Sequence, residues 1–166
     1  ATARIWDVAT KTTLFSVTRG GSVTTVDYAP KDDWVAIGGA DNLVEIRSAK
    51  TNSLKHRWAF AANVEDVAFS PDSRYVAIAS LKVSIWDIET GQRRLTLDAE
   101  DITAIAWGGD TDSLLTGARN GEVKSWSFGE AALENAMVTK VTRCLTAEER
   151  RTWRLAETPP DWCDTL

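Results

Sequence analysis

Few residues in this chain carry the chemistry of a catalytic or metal site. There is one histidine, and there are two cysteines among 166 residues. His56 lies between Lys55 and Arg57 at the start of an expected outer strand. Triad chemistry would need a nucleophile and an orienting acid beside it, and no spacing supplies them, so an exposed or edge-strand histidine is expected. Cys144 and Cys163 read either as two reduced, partly buried thiols or as a pair that pins the end of the chain by packing or a disulfide. No histidine accompanies them for thiol-protease work, and two cysteines with one histidine make a four-ligand zinc site improbable. The acidic groups Asp32-Asp33, Asp98-Ala-Glu100-Asp101 and Asp110-Thr-Asp112 lack calcium-loop spacing and read as solvated turns. Gly20-Gly21 and Gly38-Gly39 read as turn or strand-end glycines, since no phosphate-cradling glycine motif occurs. Arg143, Arg150, Arg151 and Arg154 interleave with Glu148, Glu149 and Glu157, which suits a salt-bridged helix surface better than a phosphate site. No catalytic residue, no metal and no cofactor are expected.

Composition narrows the class further. The formal net charge is −5, from 19 basic and 24 acidic side chains. A mildly acidic chain with scattered charge is a poor phosphate binder, so no nucleic-acid partner is expected. No apolar run is long enough to span a bilayer, and the start lacks the pattern of a signal peptide, so no membrane association and a cytoplasmic setting are expected. Apolar residues at 43% and charged residues at 26% are those of an ordinary globular chain.

The positioning elements show themselves as a repeat. Trp6, Arg47, Trp86 and Trp126 follow one another at intervals of 41, 39 and 40, each in a similar local context. A second register agrees: Val23-Thr-Thr-Val26-Asp-Tyr28-Ala-Pro30, Val64-Glu-Asp-Val67-Ala-Phe69-Ser-Pro71 and Ile102-Thr-Ala-Ile105-Ala-Trp107. A third runs through Trp34-Val-Ala-Ile-Gly38, Tyr75-Val-Ala-Ile-Ala79 and Ser113-Leu-Leu-Thr-Gly117. In the second register apolar and small or polar residues alternate, the pattern of a strand with one buried face; this predicts Val26 and Tyr28, Val67 and Phe69, and Ile105 and Trp107 on that face. In the third register, runs such as Val35-Ala-Ile37-Gly and Val76-Ala-Ile78-Ala are nearly continuously apolar and rich in small residues, and suit an inner strand buried on both faces. Turn residues separate these runs, and Asn120-Gly121 predicts a two-residue type I′ hairpin with positive φ at both positions. Four short strands per forty-residue unit describe one blade of a β-propeller.

Trp6-Asp7, Trp86-Asp87, Phe69-Ser70-Pro71-Asp72 and the period resemble WD-repeat propellers over residues 1–128. The resemblance implies an all-β fold in which the repeated tryptophan fills the space between blades, its indole N–H seeking a neighbouring acceptor. It also implies partner binding at the ring's top face, near Thr24, Glu65 and Thr103, which share one position in three units. The family's Gly-His dipeptide is absent, so its His–Asp network is expected to be missing. His56 is not placed to supply it.

Residues 1–17 account for two strands of a blade, two full blades follow, and then three strands of another. The expectation is therefore a partial WD-repeat propeller of about three to three and a half blades. Its open ends need further strands, from a longer polypeptide, a docked fragment or a second chain, and it is not expected to stand alone as a monomer. Residues 129–166 change period: Leu133, Met137, Val141, Cys144 and Leu145 make a helical stripe, and Thr146-Ala-Glu-Glu149 reads as a capping box, so a short helical tail is expected. Val141-Thr-Arg-Cys-Leu-Thr-Ala-Glu-Glu-Arg resembles the endings of prokaryotic multidomain WD-repeat proteins, which implies the carboxy-terminal portion of a larger signalling or defence effector. The functional expectation is a non-enzymatic protein-interaction or sensor scaffold. The alternative is a fragment or subunit of a multidomain enzyme (peptidase, signalling ATPase, kinase or TIR effector) whose catalytic part lies elsewhere.

Overall fold

The computed structural model describes residues 1–109, 111–128 and 146. The chain divides into two compact units, Ala1–Trp126 and Ser127–Leu166. The expected helical tail, with Cys144, Cys163 and its four arginines, lies outside the described residues apart from Thr146, as does Asp110. The described residues hold thirteen strands and no helix.

The strands form four antiparallel sheets of two, four, four and three strands, each in chain order. The first holds β1 (Thr2–Asp7) and β2 (Thr12–Thr18). The second holds β3 (Val23–Tyr28), β4 (Trp34–Gly39), β5 (Leu43–Ser48) and β6 (Leu54–Ala59). The third holds β7 (Asp66–Phe69), β8 (Tyr75–Ala79), β9 (Val83–Asp87) and β10 (Arg93–Leu97). The fourth holds β11 (Ile102–Trp107), β12 (Ser113–Ala118) and β13 (Val123–Ser127). The first strands of successive sheets, β3, β7 and β11, stand side by side, which places the sheets as wedges about a shared axis. The fold is a partial WD-repeat β-propeller, with the strand distribution that the repeat implies.

Core packing follows from the repeated pattern. The continuous apolar runs become β4 and β8, buried on both faces. Between the second and third sheets, Val44, Ile46, Val64, Val67, Phe69, Val76 and Ile78 pack with Trp34, Trp58, Phe60 and Trp86. Each fully buried isoleucine or valine there contributes about 1.5–3 kcal/mol. Trp86 fills the inter-sheet space, its ring 4.7 Å from Trp58 and 6.1 Å from Phe60. Its indole N–H donates to Ser84 Oγ at 2.9 Å, and that of Trp126 to Thr116 Oγ1 at 3.0 Å. Gly38 is needed where these sheets meet, because a Cβ there would stand 2.7 Å from Val64 Cγ1 and 2.8 Å from Thr25 Cγ2.

Two local expectations are corrected. Val26 and Tyr28 are 58% and 52% exposed, although Val67, Phe69 and Ile105 at matching positions are buried. The cause is the preceding sheet: β7 and β11 face the inner strands of a complete sheet, whereas β3 faces a sheet that contains only β1 and β2. The Asn120-Gly121 turn is not type I′. Only Gly121 has positive φ, at 87°, and Gly121 N–H donates to Ala118 O at 3.0 Å while Ala118 N–H donates to Glu122 O at 2.8 Å. This is a three-residue loop, a type I turn followed by a left-handed glycine.

Candidate interaction surface

At one end of the arc lie the β2–β3, β4–β5, β6–β7, β8–β9, β10–β11 and β12–β13 connections. Five of these six, all but β2–β3, enclose a cavity of about 700 Å³. Asn42, Asn63, Glu65, Leu81, Lys82, Glu100, Asp101 and Arg119 are among its lining residues. Leu81 sits at the tip of the three-residue β8–β9 connection and is 62% exposed. Lys82 is tied to Asp98 at 2.6 Å. Glu65, Glu100, Asp101 and Arg119 make no ion pair among the described residues. The cavity thus offers an apolar anchor, uncommitted carboxylates and one uncommitted guanidinium, the mixture that specific docking uses.

The loop end is made rigid by ions. Arg19, just after β2, is only 6% exposed. Its Nε donates to Asp41 Oδ2 at 2.8 Å, Nη2 to Asp41 Oδ1 at 2.6 Å and to Leu43 O at 2.8 Å, and Nη1 to Ile37 O at 3.1 Å. The bonded guanidinium holds the Asp41 carboxyl at about 2, against an ordinary 3.8. Glu45 is 3% exposed and receives Arg47 Nε at 2.7 Å and Arg57 Nη2 at 2.6 Å. Burial pushes Glu45 upward, but the bonds from Arg47 and Arg57 and the field of Arg19 bring it below the usual range. The expectation of a missing network therefore holds only for its histidine. Arg19 stands four residues before Val23 and pins the β2–β3 connection to the β4–β5 turn through Asp41. Arg47, at the repeated tryptophan position, continues the chain of charges through Glu45.

Around the axis a second device recurs. Val67 N–H donates to Thr25 Oγ1 at 3.2 Å, and Ile105 N–H donates to Asp66 Oδ2 at 2.8 Å. Thr25 and Asp66 share one repeat position, and Val67 and Ile105 share the next. Asp27 Oδ2 also accepts from Phe69 N–H at 2.6 Å. Burial pushes the Asp27 carboxyl above its ordinary range, although the N–H groups of Phe69 and Tyr28 work against that rise.

The residues singled out from the sequence are spread over these features. Glu65 lines the loop-end cavity. Thr24 is exposed and donates to Val64 O at 2.5 Å, linking the second and third sheets. Thr103 is exposed and donates to Gly117 O in its own sheet at 3.3 Å. His56 is on the outer strand β6, with Nε2 2.8 Å from Ile88 O and its ring stacked 5.2 Å from Trp58, so it joins neighbouring sheets. Asp33 pairs with Lys50 on the surface. Among the described residues no three metal-ligating side chains converge, and no helix is long and apolar enough to cross a membrane. Sequence reasoning missed Leu81 and Arg119; the only signal for them was their place in tight connections at one end of the sheets.

The four sheets and their repeat make the fold a partial WD-repeat β-propeller. Two segments, residues 11–47 and 91–127, match the model of the WD domain, G-beta repeat. The chain is 25% identical to a 66 kDa stress protein of Physarum polycephalum over 173 aligned residues, covering 90% of this chain and 29% of that protein. It is 25% identical over 122 residues to eukaryotic translation initiation factor 3 subunit I of Pyricularia oryzae, covering 64% of this chain and 36% of the relative. A shorter match, 39% over 54 residues, covers 32% of this chain and 16% of the protein of the same name in Phaeosphaeria nodorum. The chain thus spans little more than a third, or less, of these relatives' length. All three come from eukaryotes and lend no support to the prokaryotic origin expected from the tail.

Proposed function

We propose that the chain is a non-enzymatic scaffold that receives a protein partner across its loop end, as one arc of a larger propeller. The observation that carries this is the cavity of about 700 Å³ framed by five connections, with exposed Leu81 at its rim and Glu65, Glu100 and Arg119 unpaired among the described residues. A side chain of the partner packs on Leu81, and its charged groups meet Glu65 and Arg119. Thr24 and Thr103 flank the contact. Rigid connections keep the ordering entropy of docking low, which favours affinity. Service within a multi-subunit assembly is supported by the two relatives named as initiation-factor subunits. Service as the sensor of a signalling or defence effector, or as part of a multidomain enzyme, is supported by the tail sequence alone.

Site-specific photo-crosslinking tests this. A benzophenone side chain at Leu81 is compared with one at Arg94, exposed on the outer strand β10. The expected result is a discrete protein adduct from position 81, absent from position 94 and lost when Glu65 and Arg119 are both replaced by alanine. Equal labelling from both positions, or none from position 81, would sink the proposal.

A further inference from the structure

We propose that Thr96, on the outer strand β10, is a phosphoacceptor for an arginine-directed serine/threonine kinase, with Arg93 and Arg94 as the groups that such an enzyme reads.

The stretch Arg93-Arg94-Leu95-Thr96 places guanidinium groups three and two residues ahead of a hydroxyl. No other serine or threonine in the chain has arginines at both positions. A kinase whose acceptor groove carries carboxylates binds the two forks bidentately and so sets the hydroxyl in line with the γ-phosphorus of ATP. β10 is bonded to β9 alone, so its other edge is open, and Arg93, Arg94, Leu95 and Thr96 are all exposed. The segment is already extended, the form in which a groove takes up a peptide. The register shifts between Arg93 and Leu95, which leaves Arg94 without a partner on β9. Among the described residues neither arginine makes an ion pair and the Thr96 hydroxyl makes no hydrogen bond. Charges and a bulge also guard an edge strand against pairing with other chains. Lysine serves that purpose as well as arginine, but it lacks the planar fork, so a double lysine variant separates the two roles.

The transfer forms a bond between Thr96 Oγ1 and the γ-phosphorus and breaks the bond from that phosphorus to the β,γ-bridging oxygen. ADP leaves, and the hydroxyl proton passes to the kinase's carboxylate base. The modified residue carries about −1.5 to −2 charges at neutral pH. Thr96 lies across from Ser84, so Lys82 is its diagonal neighbour, a spacing that long side chains bridge. Lys82 holds Asp98 at 2.6 Å and lines the loop-end cavity. The phosphate competes with Asp98 for this ammonium and so links the outer strand to the loop end.

The full chain is incubated with magnesium ATP and the catalytic subunit of a cyclic-AMP-dependent kinase, and the labelled residue is located by tandem mass spectrometry. We expect phosphate on Thr96 at an initial rate within about tenfold of that for a peptide of residues 89–100, because the folded segment is already extended and exposed. Thr96→Val should remove the label from this segment. The Arg93→Lys, Arg94→Lys variant should keep its urea midpoint and take phosphate about tenfold more slowly or less. On phosphorylation the side-chain nitrogen signal of Lys82 should shift while that of Lys124 stays in place. A folded chain without label on Thr96, whatever the peptide takes, overturns the site. A double lysine variant labelled as fast as the wild type overturns the role given to the arginines. An unmoved Lys82 signal overturns the link to the loop end.

Discussion

Replacing Arg19 by methionine keeps much of the side chain's apolar stem and removes its charge. Four hydrogen bonds disappear, two to Asp41 and two to the carbonyls of Ile37 and Leu43. Asp41 loses the partner that lowers its pKa from 3.8 to about 2. At about 1.36 kcal/mol per unit that is at most ~2.4 kcal/mol, and about 1–2 kcal/mol once the carboxylate's remaining contact with water is counted. The two carbonyls add roughly 0.5–1 kcal/mol each where water replaces the guanidinium poorly. Glu45 keeps Arg47 and Arg57, so it is not orphaned. The expected loss is about 3 kcal/mol at pH 7, at the lower edge of the range for breaking a buried ion pair. Urea unfolding followed by tryptophan fluorescence reads it. The sign with pH is fixed: a carboxylate with a depressed folded pKa stabilises above its unfolded pKa and loses that contribution as pH falls towards its folded value. The difference between wild type and Arg19→Met should therefore be constant from pH 7 to about 5 and shrink below pH 4. A loss under about 1 kcal/mol, or a difference unchanged between pH 5 and 3, would refute the assignment of Arg19 and Asp41 as the pin of the loop end.

Three further outcomes are expected. Gly38→Ala should destabilise by about 1–3 kcal/mol in the same urea assay, because its Cβ would press on Val64 and Thr25 where the sheets meet. Asp66→Ala should speed amide exchange at Ile105 and Val67 about tenfold or more, while Ala36 in β4 keeps its protection. Gly91→Ala should cost about 1–3 kcal/mol, since φ there is +70° and the new Cβ would lie 2.7 Å from His56 Cε1; altered near-ultraviolet dichroism from the His56–Trp58 stack would accompany it.

The strand order and the number of strands per sheet were legible because three registers kept step over three units, and each register has one physical job. The continuous run Tyr75–Ala79 could only be an inner strand, and it is one. What alternation could not show was which faces find a neighbour. Val26 and Val67 occupy the same repeat position and differ in exposure only because different sheets precede them. The loop-end network was hidden for another reason. It replaces the family's histidine and tryptophan by Arg19 and Arg47, and an ion pair formed across the fold leaves no periodic trace. Leu81 stands in one short connection, and its role depends on connections far apart in sequence closing around one cavity.

In the recurring bond around the axis, one sheet contributes a side-chain oxygen and the next a main-chain amide. Every residue except proline owns such an amide, so the receiving unit is almost free to drift in sequence. For this bond, selection at each joint falls on the residue that offers the oxygen. Gene duplication or recombination can add, delete or exchange modules without matched changes on both sides of every seam.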